Sequence, residues 1–460
     1  MLIAEINLKH LSYVNFNATA SLTSRCGILA ANKSRSFRNI IYTQTRSPVI
    51  AALSNRTMLK KIKVKDLKPG MYVANITQRG VSLHEHEREG RISDEATIRE
   101  LKRRGLRELY IDTEQGEDSK EGLSANEVDK ALDKKLSLIS QKDKTKDQAT
   151  LSFEQEWEKA SRLHSEALNL VTSAMNAIQY GQEVHIEPFE EMADNFIDSV
   201  FRNQNALACL SRIRDKDSYL MEHSVNVALL MSILGKHLRL ERAYLHQCVT
   251  GALLHDIGKI LIPDEVLHKP GKLTDEEFLT MKKHVTYSKK ILQRNKRFAQ
   301  ASINVAAQHH ERLDGRGYPN GLKGDEVSPE GRMAAVVDIY DAVTADRVYH
   351  KGMTPSAALK RMLEWTDGHL DIQYVHAFIK AIGVFPVGSL VELNNHHAAI
   401  VTQENLDTLR PWVREIYNLN TDMYLPVRDI NLSDVQNRDS IVKALNPSDF
   451  GIRIRDFFDD

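Results

Sequence analysis

Cysteine is scarce in this chain, with Cys26, Cys209 and Cys248 the only three in 460 residues. An odd, scattered set builds no disulfide frame and suits a reducing compartment, so a cytoplasmic location is expected. No stretch approaches 18 consecutive apolar residues, so no transmembrane helix is expected. Neither sign of charge is in surplus, since Lys+Arg and Asp+Glu number 62 each. That balance argues against a nucleic-acid binder working through a large basic face. No serine or cysteine stands in a convincing nucleophilic triad either. What is present is enough apolar sequence, 42%, to fill cores in a chain long enough for roughly three units.

The first 57 residues carry one acid, Glu5, against seven Lys/Arg. This is transit-peptide-like in composition, but translated leader ahead of the patterned segment at Met58 is the simpler expectation, with little stable fold. From Met58 to about Gly116 a small α+β module is expected: strands around the Lys68-Pro69-Gly70 turn, a helix near Asp94–Arg104 and a strand at Leu109–Asp112. Residues 117–187 read as a charged linker, solvated or a frayed helix to 150, and then a connecting helix. In that helix Trp157, Ala160, Leu163, Ala167, Val171, Ala174 and Ile178 recur at three- and four-residue steps. Packing on its own domain is the plain reading; a dimerising or signal-carrying helix is the alternative. Residues 188–384 are helix upon helix. The tail, 385–460, is β-rich and starts with a hairpin turning at Asn394–His397. His396-His397 is therefore expected in a turn, and the acidic run His84–Glu89 in an exposed loop.

One stretch dominates the chemistry. His309-His310-Glu311 runs into Asp314-Gly315-Arg316-Gly317-Tyr318-Pro319, with His223, His255-Asp256, Lys259 and His284 upstream and Asp338 downstream. Imidazoles and carboxylates without nearby cysteines suit borderline or hard divalent ions. Singly, His223 or His284 would be an ordinary core or surface histidine. His255-Asp256 ends an apolar helix, where burying both is costly unless each is paired or coordinated. An aspartate there can bridge ions about 3.5–4 Å apart, the spacing of two-metal phosphoesterases. Lys259, one turn on, suits a phosphate oxygen. His309 and His310 diverge by about 100° if helical, so they serve different ions or one supports from behind. The glycines after them make a loop that substrate can approach closely.

His255-Asp256-Ile257-Gly258-Lys259 together with His309-His310-Glu311-Arg312-Leu313-Asp314-Gly315-Arg316-Gly317-Tyr318-Pro319 resembles the HD-GYP family of cyclic-di-GMP phosphodiesterases. Asp338-Ile339-Tyr340-Asp341, continuing to Arg347-Val348-Tyr349, resembles its closing motif, and the resemblance covers about 215–383. The segment from Met58 looks like a small domain of unassigned role often found ahead of it. The resemblance implies a mainly α HD-superfamily helical bundle that hydrolyses cyclic-di-GMP to linear pGpG, or onward to GMP. It implies His223, His255, Asp256, His284, His309, His310 and Asp338 as ligands of two divalent ions, iron or manganese, with Asp256 bridging. Lys259, Gly317, Tyr318, Pro319 and Arg347 would contact substrate, and Asp217 would help hold a guanine. Some members carry a glutamate one turn before the first histidine, supporting a third ion; here it is Tyr219, so two ions are expected. After the Arg-x-Tyr triplet, His350 stands where a basic residue is frequent. Alternatives are an HD phosphohydrolase for another nucleotide, a receptor with little turnover, or a role in contacts with a second copy or other signalling proteins.

Overall fold

The computed structural model describes residues 58–74, 90–103, 106–140, 149–213, 219–346 and 351–458. Residues 1–57, expected as a leader, and the run His84–Glu89, Asp217, Arg347 and His350 lie outside the described residues.

The N-terminal part begins with β1 (Leu59–Lys63) and β2 (Tyr72–Val73), followed by β3 (Gly90–Arg91), α1 (Glu95–Arg103), β4 (Glu108–Asp112) and β5 (Leu123–Ser124). Its antiparallel strands lie in the order β3-β2-β4-β1-β5. Alternation along β1 and β4 turns Ile62, Leu109 and Ile111 into one core with Val64, Met71 and Ile98 of α1. The Pro-Gly turn holds Gly70 at φ +97°, a conformation that disfavours a side chain.

Charge did not keep the next segment solvated. α2 (Ala125–Ser140) buries Ala125, Val128 and Leu136, and Asp129 and Asp133 pair with Lys360 at 3.4 and 2.6 Å. The burial stripe is narrow, so the flanking Lys and Asp residues masked it in the sequence. α3 (Phe153–Gln179) starts at a capping box made by Ser152 and Gln155. Its apolar stripe, from Trp157 to Ile178, joins the main core beside α4 (Glu187–Leu210). Buried Glu156 is satisfied by Arg202 and by the Ser199 hydroxyl, which keeps the α3–α4 pair in register.

The helical centre continues with α5 (Tyr219–His237), α6 (Arg242–Leu254), a 3-10 turn (Ile257–Leu261), α7 (Asp264–Leu267), α8 (Asp275–Arg294), α9 (Gln300–Gln308), α10 (Pro329–Thr344), α11 (Pro355–Glu364) and α12 (Ile372–Ile382). α5 and α10 are apolar on nearly every face because other helices surround them. Polar side chains along α5, α6, α8 and α10 are buried in that setting, and these are the chemically interesting ones.

The tail is larger than one hairpin. β6 (Leu390–Leu393), β7 (His397–Gln403), β8 (Trp412–Asn418), β9 (Met423–Asn431) and β10 (Ile441–Leu445) form an antiparallel sheet ordered β10-β6-β7-β8-β9. The expected turn is there but shorter: it covers Asn394–His396, with His396 exposed at φ +61°, and His397 already opens β7 rather than lying in the turn. His397 Nδ1 donates to Glu415 at 2.7 Å.

Candidate metal centre

Five segments bring the ligands together. α5 carries His223, the end of α6 carries His255 and Asp256, α8 carries His284, the end of α9 carries His309 and His310, and α10 carries Asp338. The approach of α6 to α8 depends on Gly258: a Cβ there would lie 2.2 Å from the His284 carbonyl oxygen. With glycine in place, the 3-10 turn lies against α8 and its Gly258 N–H donates to Ser288 Oγ at 2.9 Å.

Asp256 lies between two sets of rings. Its Oδ2 faces His255 Nε2 at 3.3 Å and His223 Nε2 at 3.5 Å. Its Oδ1 faces His284 Nε2 at 3.3 Å and His309 Nε2 at 3.8 Å. Asp338 spans the same gap, with Oδ1 2.8 Å from His223 Nε2 and Oδ2 3.8 Å from His310 Nδ1. Two groups result, His223-His255-Asp256 and His284-His309-His310, with the ligand atoms of each within 4.8 Å of one another. All seven expected ligands therefore converge, and the adjacent His309 and His310 face different carboxylates.

The outer nitrogens fix how these rings are used. His223 Nδ1 donates to Asp341 at 2.7 Å. His255, His284 and His309 donate Nδ1–H to the carbonyls of Ala252, Met281 and Ala306, each three residues earlier, at 2.8, 2.7 and 3.0 Å. A carbonyl can only accept, so Nδ1 carries a proton in all three and Nε2 points inward; neutral His284 and His309 present a lone pair there, as His255 would once a cation displaced its second proton. His255 Nε2, His284 Nε2, His309 Nε2 and Asp256 Oδ1 are buried and have no hydrogen-bond partner. Buried polar atoms left unsatisfied are costly. Four of them aimed at one another fit a site built for divalent cations.

The electrostatics agree. Burial keeps His284 and His309 neutral, pushing them down to about 4 and about 3. His310 is driven well below its ordinary value by burial and by His309. Burial also opposes charge on His255, but Asp256 and Asp338 outweigh it and raise the ring to about 10. His223 is raised against burial by Asp338 and Asp341. Burial would raise Asp256, yet Lys259 and His255 hold it well below the usual carboxylate range. Lys259 Nζ sits 2.5 Å from Asp256 Oδ2. Protons and an ammonium thus collect around the two carboxylates, the positive charge that bound cations would supply.

The Gly-Tyr-Pro loop roofs one side. Buried Glu311 accepts from the backbone N–H groups of Asn320 and Leu322 at 2.7 and 3.0 Å. Tyr318 N–H donates to the His310 carbonyl at 3.1 Å. Gly317 passes so near that a Cβ would lie 2.4 Å from Glu311 Cα and Arg312 N. The Tyr318 ring consequently lies 4.7 Å from the His310 ring, and Pro319 is exposed at the loop's tip.

Sequence reasoning gave no role to Asp341, Glu311, Phe278 or Lys282. Asp341 could have been found, because it lies three residues past Asp338 and so on the same helical face. Lys282 Nζ stands 5.1 Å from the Tyr318 ring centroid and 4.4 Å from that of Phe278. Phe278 and Lys282 are one turn apart on α8, yet nothing in the sequence places Tyr318 beside them.

Comparison with known proteins follows the same lines. The HD domain family matches residues 208–373, and a domain of unknown function, DUF3391, matches residues 59–189, a span that crosses the boundary expected at 116. A cyclic di-GMP phosphodiesterase of Pseudomonas aeruginosa is 34% identical over 387 residues, covering 84% of this chain and 92% of its own. A 3′3′-cGAMP-specific phosphodiesterase of Vibrio cholerae is 41% identical over 128 residues, 28% of this chain and 24% of that one. A cyclic di-GMP phosphodiesterase of Thermotoga maritima is 38% identical over 193 residues, covering 42% and 52% respectively. Fold and site together define an HD-domain phosphohydrolase with histidine and aspartate clusters able to hold divalent metal. More narrowly, the chain belongs to the HD-GYP family of phosphodiesterases. None of the helices among the described residues is long and apolar enough to cross a membrane.

Proposed function

We propose that this chain hydrolyses cyclic-di-GMP to linear pGpG in bacterial second-messenger signalling, using two divalent ions, iron or manganese. The carrying observation is Asp256, whose two oxygens face separate histidine sets. The name of the Pseudomonas relative, matched over 92% of its length, supports the substrate. Hydrolysis adds water across one P–O3′ bond, leaving a 5′-phosphate and a 3′-hydroxyl.

His223, His255, Asp256, His284, His309, His310 and Asp338 would hold the ions, with Asp256 bridging. Bound there, divalent ions acidify water and neutralise phosphate charge. Lys259 would turn from Asp256 to a phosphate oxygen once cations satisfy that carboxylate. Gly317, Tyr318 and Pro319 would line the substrate's seat. Arg347 and Asp217 complete the proposed contacts, to phosphate and guanine. Tyr219 in place of a glutamate favours two ions over three, and therefore pGpG over GMP as the product. Cys209 and Cys248, both buried, accord with a cytoplasmic setting.

The test is chromatography of products from anaerobically purified protein with cyclic-di-GMP, 3′3′-cGAMP and pGpG, alongside metal analysis. Asp256→Ala should lose both metal and activity. Lys259→Ala should keep its metal and turn over about 10²–10³-fold more slowly, as for loss of one preorganised electrostatic group. Normal turnover by Asp256→Ala would refute the bridging role. Faster cleavage of 3′3′-cGAMP than of cyclic-di-GMP would replace the proposed substrate.

A further inference from the structure

We propose that Glu364 is a positioning residue for the Gly-Tyr-Pro loop, and that the N-terminal sheet acts on substrate binding by gripping it. The proposal rests on the reading of that loop as the substrate's seat. Two sets of contacts meet in residues 364–371, far from both ends in sequence.

On one side is the N-terminal sheet. Tyr110 of β4 donates its hydroxyl to Glu364 Oε1 at 2.9 Å, and Lys61 Nζ of β1 lies 3.4 Å from the same oxygen. Lys61 and Tyr110 are directly paired across β1 and β4, so they reach the carboxylate as two prongs from one face. Arg361 holds the other oxygen at 2.9 Å. The Glu364 side chain is only 8% exposed, so its carboxylate is fixed in place by this set of donors. Arg107, just before β4, adds a 2.8 Å pair with Asp367, which is exposed and weak by itself.

On the other side is the loop. The His369 carbonyl accepts from Leu313 N–H at 3.2 Å, and the Leu313 carbonyl in turn accepts from Gly324 N–H at 3.0 Å. Asp371 pairs with Arg332 at 3.2 Å, and Arg332 also donates to the carbonyls of Val327 and Gly324. Between grip and loop the chain is tight: His369 and Leu370 both donate to the Trp365 carbonyl, at 3.1 and 3.0 Å. A shift of Glu364 is therefore transmitted within one turn to both ends of the loop that carries Tyr318. None of these groups is an expected metal ligand.

The test uses the full chain with Tyr110→Phe and Lys61→Met, both changed on the sheet side only, and Lys61→Arg as the conservative control. Hydrogen exchange without substrate is compared for peptides covering 311–324, together with KM, kcat and metal content for cyclic-di-GMP hydrolysis. Loss of a hydrogen bond to a charged group should speed loop exchange and raise KM, each by about threefold to tenfold. Metal content and kcat should stay within about twofold, a split that simple loss of stability would not give. Lys61→Arg should behave as wild type. If a sheet variant loses protection at β1 and β4 as well, Glu364→Gln makes the same cut from the other side. Unchanged loop exchange in a variant whose sheet remains protected overturns the proposal. If wild-type protein does not cleave cyclic-di-GMP, the functional reading fails, while the exchange comparison still judges Glu364.

Discussion

Asp341 illustrates how one carboxylate can control a centre without belonging to its inner face. It holds His223 Nδ1 at 2.7 Å while Asp338 meets Nε2 of the same ring. Asp341→Asn keeps the volume but can present an amide N–H that repels the Nδ1–H. The ring should then lose its preferred orientation, with metal affinity falling about 10–100-fold, in line with other outer partners of metal-bound histidines. Metal titration of apo-protein checks this, and affinity equal to wild type would show that Asp338 alone orients the ring. His255-Asp256 and His309-His310 were legible from their own motifs, whereas His223 and His284 are ordinary histidines taken singly and were named only through the family resemblance. Glu311 was not legible as a loop clamp. Its role depends on which backbone N–H groups fold back over it, and the sequence does not display that.

At the scale of elements, helix periodicity was the most readable signal. α3 shows its buried stripe plainly, and α1 and β4 fall close to where alternation and turn residues place them. Two of the elements that escaped notice have few buried residues. β9 exposes most of its side chains, and α2 hides its apolar residues among charges. Packing between elements leaves its own trace in small residues. Gly258→Ala should push the 3-10 turn off α8, because its Cβ would meet the His284 carbonyl oxygen at 2.2 Å. Overpacking of this kind costs about 1–3 kcal/mol. It also shifts Asp256 away from His284, so lower metal content should accompany the lower melting temperature. A variant destabilised yet fully metallated would mean that the turn adapts without moving Asp256.

For the whole molecule, the centre couples stability to pH once chelator has removed any metal. His284 and His309, held near 4 and 3, refuse a proton that the unfolded chain accepts at about 6.5. Stability should therefore fall as pH drops from about 6.5 toward 4. His255, raised to about 10, gives the opposite sign. Its contribution is full below about pH 6.5 and is lost as pH climbs toward about 10. Urea denaturation of the chelated protein should therefore be most resistant near pH 6–7, roughly between the two windows. Reloading metal should flatten the profile by holding the ligands deprotonated. Equal stability of the chelated protein from about pH 5 to about pH 9 would contradict these shifts.

The amino-acid sequence alone determined the kind of side chains on offer: nitrogen and oxygen donors in ordered motifs, and a helical body to carry them. Those features are local, set by residue type and by spacing along one element. Only the tertiary structure decided that Asp256 faces two histidine sets, that His309 and His310 part company, and that β1 and β4 reach Glu364 behind the Gly-Tyr-Pro loop. Each of these depends on where separate elements cross, and crossings are set by packing among residues tens to hundreds of positions apart.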